Sequence, residues 1–240
     1  MMLPEHKELL ANLSNEKLGI ALTGEQVEKF SLYADLLLEW NNKVNLTSIT
    51  EPEEIILKHF VDSLTLGPLV KGENMVDIGT GAGFPGVPLK ILLSDVNVYL
   101  VDSLAKRLEF LKVVKESLGL KNVEIIHSRA EDFARDPKYR EQFTCATSRA
   151  VARLPVLLEY ALPLLKIGGL FLASKGAQVD EEVMESQKAL QLLGGKILEV
   201  RKLSLGLEAE HRSIVVVEKT APTPKTYPRK AGTPAKKPII

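Results

Sequence analysis

A chain of 240 residues and 26.5 kDa, with 45% apolar and 26% charged residues, can close a sizeable core and is too ordinary in composition for a disordered or fibrous class. No apolar run approaches the roughly 20 residues of a membrane-spanning helix, the start MMLPEHKELL lacks the cationic opening and long apolar stretch of a secretory leader, and the single cysteine, Cys145, suits a reducing cytosol. The formal net charge is zero but unevenly spread: residues 1–54 carry ten acids and four bases, residues 219–240 carry six bases and no acid, and the basic end suggests an anionic partner.

In chain order, residues 23–42 place Val27, Phe30, Ala34, Leu37, Leu38 and Trp40 near the three-and-four spacing of a helix with one buried face. Thr23 with Gln26 three residues on reads as a capping box. A second helix starts at Pro52, with Glu53 and Glu54 in its first turn, and carries Ile55, Ile56, His59, Phe60, Ser63 and Leu64. From Asn74 onward, short β-branched runs alternate with amphipathic stretches, the pattern of a parallel sheet wrapped by helices. Strands are predicted at 75–79, 97–102, 123–128, 144–149, 170–174, 196–202 and 212–219. Helices are predicted near 85–93, 104–118, 153–166 and 178–193, the second capped by Ser103 and stopped by Gly119. The last two strands lack a helix between them and are expected to pair antiparallel at one edge. The predicted organisation is a helical region 1–70, a Rossmann-like α/β domain 71–219 with a seven-stranded, mostly parallel sheet, and a basic proline-rich tail 220–240. The histidines His6, His59, His127 and His211 have no metal-ligand spacing, so no metal is expected.

The densest motif is the stretch Val76-Asp77-Ile78-Gly79-Thr80-Gly81-Ala82-Gly83-Phe84-Pro85-Gly86, after the first strand and at the opening of a helix. Glycines there let the backbone turn tightly and approach a ligand, and the helix start offers free amides. Gly81-x-Gly83-x-x-Gly86 also fits a dinucleotide fingerprint, so glycine spacing leaves a nicotinamide cofactor and S-adenosylmethionine (SAM) both open. Two carboxylates favour SAM. Asp77, inside the first strand, suits a cationic sulfonium better than a pyrophosphate. Asp102 closes the second strand, where a carboxylate can accept both hydroxyls of an adenosine ribose; capping of the following helix is its bland alternative. After the third strand, the amide of Ala130 and the carboxylate of Glu131 could reach the adenine edge, or Glu131 and Asp132 could complement a helix dipole. After the fourth strand, Arg149 faces the ligand crevice as a substrate-positioning candidate, against a structural ion pair.

The slot after the fourth strand reads SRAVARLP, without the acid or asparagine, prolines and aromatic that methylation of an exocyclic amine requires. Cys145 lies mid-strand and reads as a small core residue rather than the nucleophile of pyrimidine methylation. A ring nitrogen with an exposed lone pair, such as guanine N7, needs only proximity and in-line alignment, worth about 7–11 kcal/mol in intramolecular models. In the tail, prolines favour an extended form in which Lys225, Arg229 and Lys230 could track a phosphate backbone while Tyr227 stacks on a base; a solvated tail is the alternative.

Taken together, NNKVNLTSI (41–49), KHFVDSL (58–64), VDIGTGAGFPGVPLKI (76–91), VDSLAKRLEFL (101–111), SRAED (128–132), TSRAVA (147–152), ASKG (173–176) and YPRKAGTPAKKPI (227–239) resemble the bacterial 16S rRNA methyltransferase G family, also called glucose-inhibited division protein B. The resemblance implies a class I SAM-dependent methyltransferase fold and an enzyme making 7-methylguanosine at one guanine of the small-subunit RNA. It also implies that Gly79, Phe84, Ala130, Glu131 and Arg149 line the SAM site, beside the Gly81 and Asp102 read from spacing. Expected partners are 16S rRNA or the small ribosomal subunit and no membrane; the expected state is a cytoplasmic monomer. A nicotinamide-dependent oxidoreductase and a non-catalytic RNA-binding protein with a relict pocket are the competing readings. Gly79→Val is expected to abolish SAM binding in a folded protein; unchanged calorimetric affinity would count against the glycine loop as the cofactor site.

Overall fold

The computed structural model describes residues 2–176, 179–205 and 211–240, with His211 described by its backbone. Helix α1 (Pro4–Leu18) and helix α2 (Gly24–Asn41) open the chain, and the Thr23–Gln26 capping box of α2 is present in both directions. A third helical stretch begins as α3 (Pro52–Ile55), passes through a π-helical turn (Ile56–Val61) and ends as α4 (Asp62–Leu64). The extra residue per turn rotates Lys58 and His59 relative to a regular helix, and π turns recur where side chains are aimed at a functional site.

Seven strands follow: β1 (Asn74–Ile78), β2 (Asn97–Asp102), β3 (Val123–His127), β4 (Phe143–Arg149), β5 (Leu165–Lys175), β6 (Gly195–Ser204) and β7 (His211–Lys219). Their order is β3-β2-β1-β4-β5-β7-β6, parallel from β3 to β5. The last two strands pair antiparallel as expected, but β7 is not the edge: it lies between β5 and β6, antiparallel to both. Between the strands run α5 (Gly86–Leu92), α6 (Ala105–Ser117), α7 (Ala130–Arg135), α8 (Leu154–Ala161), α9 (Val179–Glu185) and α10 (Gln187–Leu193). Three expectations need correction. The helix drawn over 153–166 stops at Ala161, and β5 begins at Leu165 after one 3₁₀ turn. The helix drawn over 178–193 divides at Ser186, whose hydroxyl bonds back to the Glu182 carbonyl, an arrangement that bends helices; residue 178 itself lies outside the described residues. The cap of α6 is not Ser103: Leu104 occupies the cap position, no side chain bonds the first helical amides, and Asp102 Oδ1 accepts the amide of Leu104 itself at 2.9 Å.

Strand alternation divides the interior into two layers. Met75, Val98, Leu100, Cys145, Leu170, Leu172, Ile214 and Val216 face a core shared with Phe30, Tyr33 and Leu37 of α2, Phe60, and Phe110 of α6. Val76, Ile78, Val101, Ala146, Phe171, Val215 and Val217 face α7, α8, α9 and α10. The helical region 1–70 therefore covers one face of the sheet and has no separate core. Cys145 is fully buried, and burial pushes its thiol up to about 12, as suits an inert core residue.

The tail is not an extended solvated arm. Arg140 donates to the carbonyls of Tyr227 and Thr223 at 2.8 Å each, Arg135 Nε donates to the Pro228 carbonyl at 2.7 Å, and the short helix α11 (Thr233–Lys236) follows. Pro228, Pro234 and Ile239 are buried, and Tyr227 packs on the second core.

Helix α2 reaches the glycine loop through Tyr33, which stacks on Phe84 at 5.3 Å and whose buried Oη donates to the Ala82 carbonyl at 2.5 Å. Removing a buried hydrogen bond of this kind costs about 1–2 kcal/mol, so Tyr33→Phe is predicted to lower unfolding stability by that amount in urea titrations. A change under about 0.5 kcal/mol would show that the contact contributes packing alone.

Candidate active site

The sheet order reverses between β1 and β4, and open α/β sheets bind ligands at the carboxyl ends of strands beside such a reversal. A cleft of about 600 Å³ lies there, within the range of sites that enclose a cofactor-sized molecule. Gly79, Gly81, Phe84, Asp102, Ala130, Glu131 and Arg149 all line it, so the structure brings these seven together, whereas Asp77, also expected near the sulfonium, is not part of the lining. The RNA-directed candidates Lys225, Tyr227, Arg229 and Lys230 are not among its lining.

The four glycines separate by function. Gly79 and Gly81 have φ of 68° and 61°, values that cost an L side chain roughly 1–2 kcal/mol. A Cβ on Gly83 would meet Tyr33, Val87 and Leu111 within 2.9 Å, and one on Gly86 would meet Leu100 at 2.4 Å and the Asp77 carboxylate at 2.8 Å. These two glycines serve packing, and Gly83 has in addition a φ of 101°. At Gly79 a Cβ would meet Val151 at 2.5 Å, so a valine there disturbs the loop as well as any ligand. Only at Gly81 is the space open, the nearest atom being the Gly79 carbonyl oxygen at 4.0 Å. That side of the loop is where a ligand can lie on bare main chain.

Asp77 is wholly buried and does not line the cleft. Its Oδ2 accepts the Gly86 amide at 2.9 Å and its Oδ1 the Thr147 hydroxyl at 3.1 Å. Burial lifts its carboxyl to about 6 against these bonds. It fastens the start of α5 to β4, and the expected closeness to a sulfonium is replaced by this bracing role. Asp102 does line the cleft, with Oδ2 accepting the Gly81 amide at 2.9 Å and Arg107 3.4 Å away. It does not cap α6, since its Oδ1 accepts only the amide of Leu104 just before the helix, and it presents its carboxylate to the cavity.

Arg149 anchors the far wall. Its Nη1 donates to Asp62 Oδ2 at 2.9 Å and to the Lys58 carbonyl at 3.0 Å, and its Nη2 lies 3.1 Å from His59 Nδ1. Its guanidinium carbon sits 4.9 Å over the Phe84 ring, and His59 stacks on the same ring at 4.4 Å. Burial and the neighbouring Arg149 charge lower His59 to about 3, so the imidazole is neutral and its Nε2 meets the Thr47 hydroxyl at 2.8 Å. Arg149 thus forms the structural ion pair of the second reading and also lines the cleft. His59, Thr47, Leu46, Tyr160 and Gly232 also line the cleft, and sequence reasoning gave none of them a site role. NNKVNLTSI and KHFVDSL contained the first three, but nothing in their spacing points toward a cleft more than 20 residues away. Gly232 enters because Glu131 Oε1 accepts its amide at 2.8 Å, with the Tyr160 hydroxyl 3.3 Å from the same oxygen.

Among the tail cations, Lys219 is fully buried, its Nζ donating to the carbonyl of Leu162 at 2.8 Å and contacting the Thr223 hydroxyl, and burial lowers it to about 8. Arg229 is committed to Glu159, which receives its backbone amide at 2.6 Å and its guanidinium on both oxygens at 2.7–3.1 Å. Arg229 and the half-buried Tyr227 are thus withdrawn as RNA contacts, whereas Lys225, Lys230, Lys236 and Lys237 are exposed. Among the described residues, no group of histidines, cysteines and carboxylates could hold a metal ion, and no helix is long and apolar enough to cross a membrane.

Residues 26–215 match the family described as rRNA small subunit methyltransferase G. The chain is 69% identical to the Ribosomal RNA small subunit methyltransferase G of Desulfitobacterium hafniense, covering 100% of both chains, and 52% identical to that of Desulforamulus reducens, covering 91% of this chain and 92% of the relative. Among solved structures it is similar to a SAM-dependent O-methyltransferase from Thermotoga maritima (TM-score 0.53, 16% identity, 78% of this chain and 72% of that one). It is also similar to a SAM-dependent methyltransferase from Aquifex aeolicus (TM-score 0.52, 20% identity, 75% and 98%). At these identities the structural likeness shows the class I methyltransferase fold.

Breaking a buried ion pair by removing one partner costs about 3–5 kcal/mol, and replacing both costs much less. Glu159 is 1% and Arg229 28% exposed, so Arg229→Met is predicted to cost about 3 kcal/mol, with most of it recovered in the Glu159→Met/Arg229→Met double variant by thermal denaturation. Equal stability of the single variant and the parent would mean that the tail is held without this pair.

Proposed function

We propose that this chain, which belongs to the rRNA small subunit methyltransferase G family, transfers a methyl group from SAM to N7 of one guanine in 16S ribosomal RNA. The observation that carries the cofactor half is the cleft floor: at Gly81 the main chain is open on one side, and the carboxylate of Asp102 stands beside it. Gly79 and Gly81 would face the cofactor with backbone. Asp102 would accept the ribose hydroxyls, Ala130 and Glu131 would meet the adenine edge, and Phe84 would supply an apolar surface. When bound, SAM supplies an electrophilic methyl on a sulfonium, so that the N7 lone pair forms the new C–N bond, the electron pair of the broken S–C bond stays on sulfur, and the positive charge passes to the guanine ring.

No proton has to be removed from the acceptor, which fits a site wall whose histidine is held neutral between Thr47 and Arg149. The chain's contribution is placement. The Phe84–His59–Arg149 stack fixes one wall, and water is displaced as the cleft fills. Exposed Lys225 and Lys230 support an RNA-directed tail face, with 16S rRNA or the small subunit as partner, the chain acting as a monomer in the cytoplasm.

Titration with SAM and, separately, with NADH tests the cofactor: SAM is predicted to bind, and Asp102→Asn to weaken it about 10–100-fold through loss of charge-assisted bonds to the ribose. Tighter binding of NADH than of SAM would reverse the reading. Transfer of tritiated methyl to deproteinised 16S rRNA and to 30S particles, followed by mapping of the modified nucleotide, tests the reaction. The doubly charge-reversed Lys225→Glu/Lys230→Glu protein should bind RNA more weakly, with a salt slope shallower by about 0.7–0.9 for each phosphate it ceases to neutralise, while SAM affinity is kept.

A further inference from the structure

A second cavity of about 310 Å³ adjoins the cleft and shares His59, Arg149 and Ala150 with it. Its other wall carries Lys58, Asp62, Ser174, Lys175, Glu182 and Arg212. The volume exceeds that of a purine base. The wall common to both cavities is His59 and Arg149, which stack on Phe84 on the cleft side, so a base in the smaller cavity abuts the end of the cofactor cleft.

Most of these charges are already matched. Asp62 receives Arg149 on Oδ2 and lies 3.4 Å from Arg212 through Oδ1. Lys175 and Glu182 differ. Lys175 Nζ lies 2.7 Å from Glu182 Oε2 and donates to the Ala152 carbonyl at 2.9 Å, which spends two of the three donors of an ammonium. Glu182 takes both Lys175 and the Leu154 amide on the same oxygen, Oε2, and no described residue donates to its Oε1. Both side chains are largely buried, at 11% and 17% exposure. A donor and an acceptor therefore stand side by side on the cavity wall, each with bonding capacity unspent.

Guanine presents the complement on its Watson–Crick edge: the O6 acceptor beside the N1–H donor and the 2-amino group. Adenine presents a 6-amino donor beside the N1 acceptor, which sets donor against cation and lone pair against carboxylate. From this juxtaposition we propose that Lys175 and Glu182 select the acceptor base, Lys175 donating to guanine O6 and Glu182 accepting from N1–H and the 2-amino group. A grip on that edge leaves N7 unencumbered. The proposal rests on the methyltransferase reading above and adds the residues that determine base specificity.

The test uses the full chain saturated with S-adenosylhomocysteine, so that the cofactor cleft is filled, and measures binding of guanosine and adenosine 5′-monophosphates by saturation-transfer NMR. A good two-bond base contact discriminates by about 1–3 kcal/mol, so the guanosine nucleotide should bind at least about fivefold more tightly. Glu182→Gln, whose amide can donate to adenine N1, should bring the two affinities within about twofold, and Lys175→Met should weaken the guanosine nucleotide selectively. S-adenosylhomocysteine affinity should be unchanged in both variants. The ratio of two ligands within one protein is insensitive to partial unfolding, and Glu182→Asp, which keeps the charge, should retain the guanine preference. Equal binding of the two nucleotides by the parent protein, or an unchanged preference in Glu182→Gln, would overturn the assignment while leaving the cofactor reading intact. Failure of S-adenosylhomocysteine to bind the parent would instead bring down the cofactor reading and this proposal with it.

Discussion

The constraint on which the site depends is the fixing of one guanidinium, that of Arg149. A charge at the end of a central strand, 16% exposed, is costly unless it is paired and hydrogen-bonded. Asp62, the Lys58 carbonyl and His59 Nδ1 satisfy it from a single helical stretch, and the Phe84 ring lies under its face. Those partners sit about 90 residues earlier in the chain. The pairing therefore locks the amino-terminal helices onto the carboxyl end of β4 and at the same time makes the partition between the two cavities. It also explains the state of His59. An imidazole buried beside a permanent cation cannot take up a proton near neutrality, so the site wall stays fixed in charge across the physiological range.

A second buried ion does for the loop what Arg149 does for the wall. Asp77 binds the Gly86 amide and the Thr147 hydroxyl, and burial outweighs these bonds and the Arg149 charge to leave its carboxyl at about 6. Because the folded value exceeds the ordinary one of 3.8, the carboxylate form of Asp77 lowers stability as pH rises from about 4 through 6. This buried acid, which destabilises at neutral pH, ties β1 to the start of α5 and to β4. Gly83 and Gly86 belong to the same device, since their hydrogens let α2, α6 and β2 close on the loop.

The sheet was readable in the sequence because its strands are continuous β-branched runs separated by turn residues, and because Gly119 and the Thr23–Gln26 box mark helix ends locally. The floor of the cleft was readable for the same reason: Gly79, Gly81 and Asp102 are positions where strand ends force a particular residue type. What the sequence did not disclose depends on contacts over long separations. Nothing near His59 announces a π turn. Asp77 reads as a ligand group from its position, and only the packing of Gly86 and Thr147 around it shows a brace. Likewise Ser103 is a good cap by residue type, yet no side chain caps α6, and the amide of Leu104 before it goes to Asp102, whose carboxylate is already fixed by Gly81.

The tail is the sharpest case of composition misleading. Prolines and cations predict an extended arm, and the prolines do restrict the chain, but Glu159 is buried beneath the segment with no other cation to neutralise it than Arg229 among the described ion pairs. An unpaired interior carboxylate would cost several kcal/mol, so the tail must come down onto α8. Once Arg229 is seated, Gly232 falls within reach of Glu131 and becomes part of the cleft lining. The same carboxylate then belongs to the expected adenine edge and to the tail's anchorage. The charge that looked like a solvent-facing RNA contact is therefore an interior tie, and what remains for an external anion is the row of lysines the fold leaves at the surface.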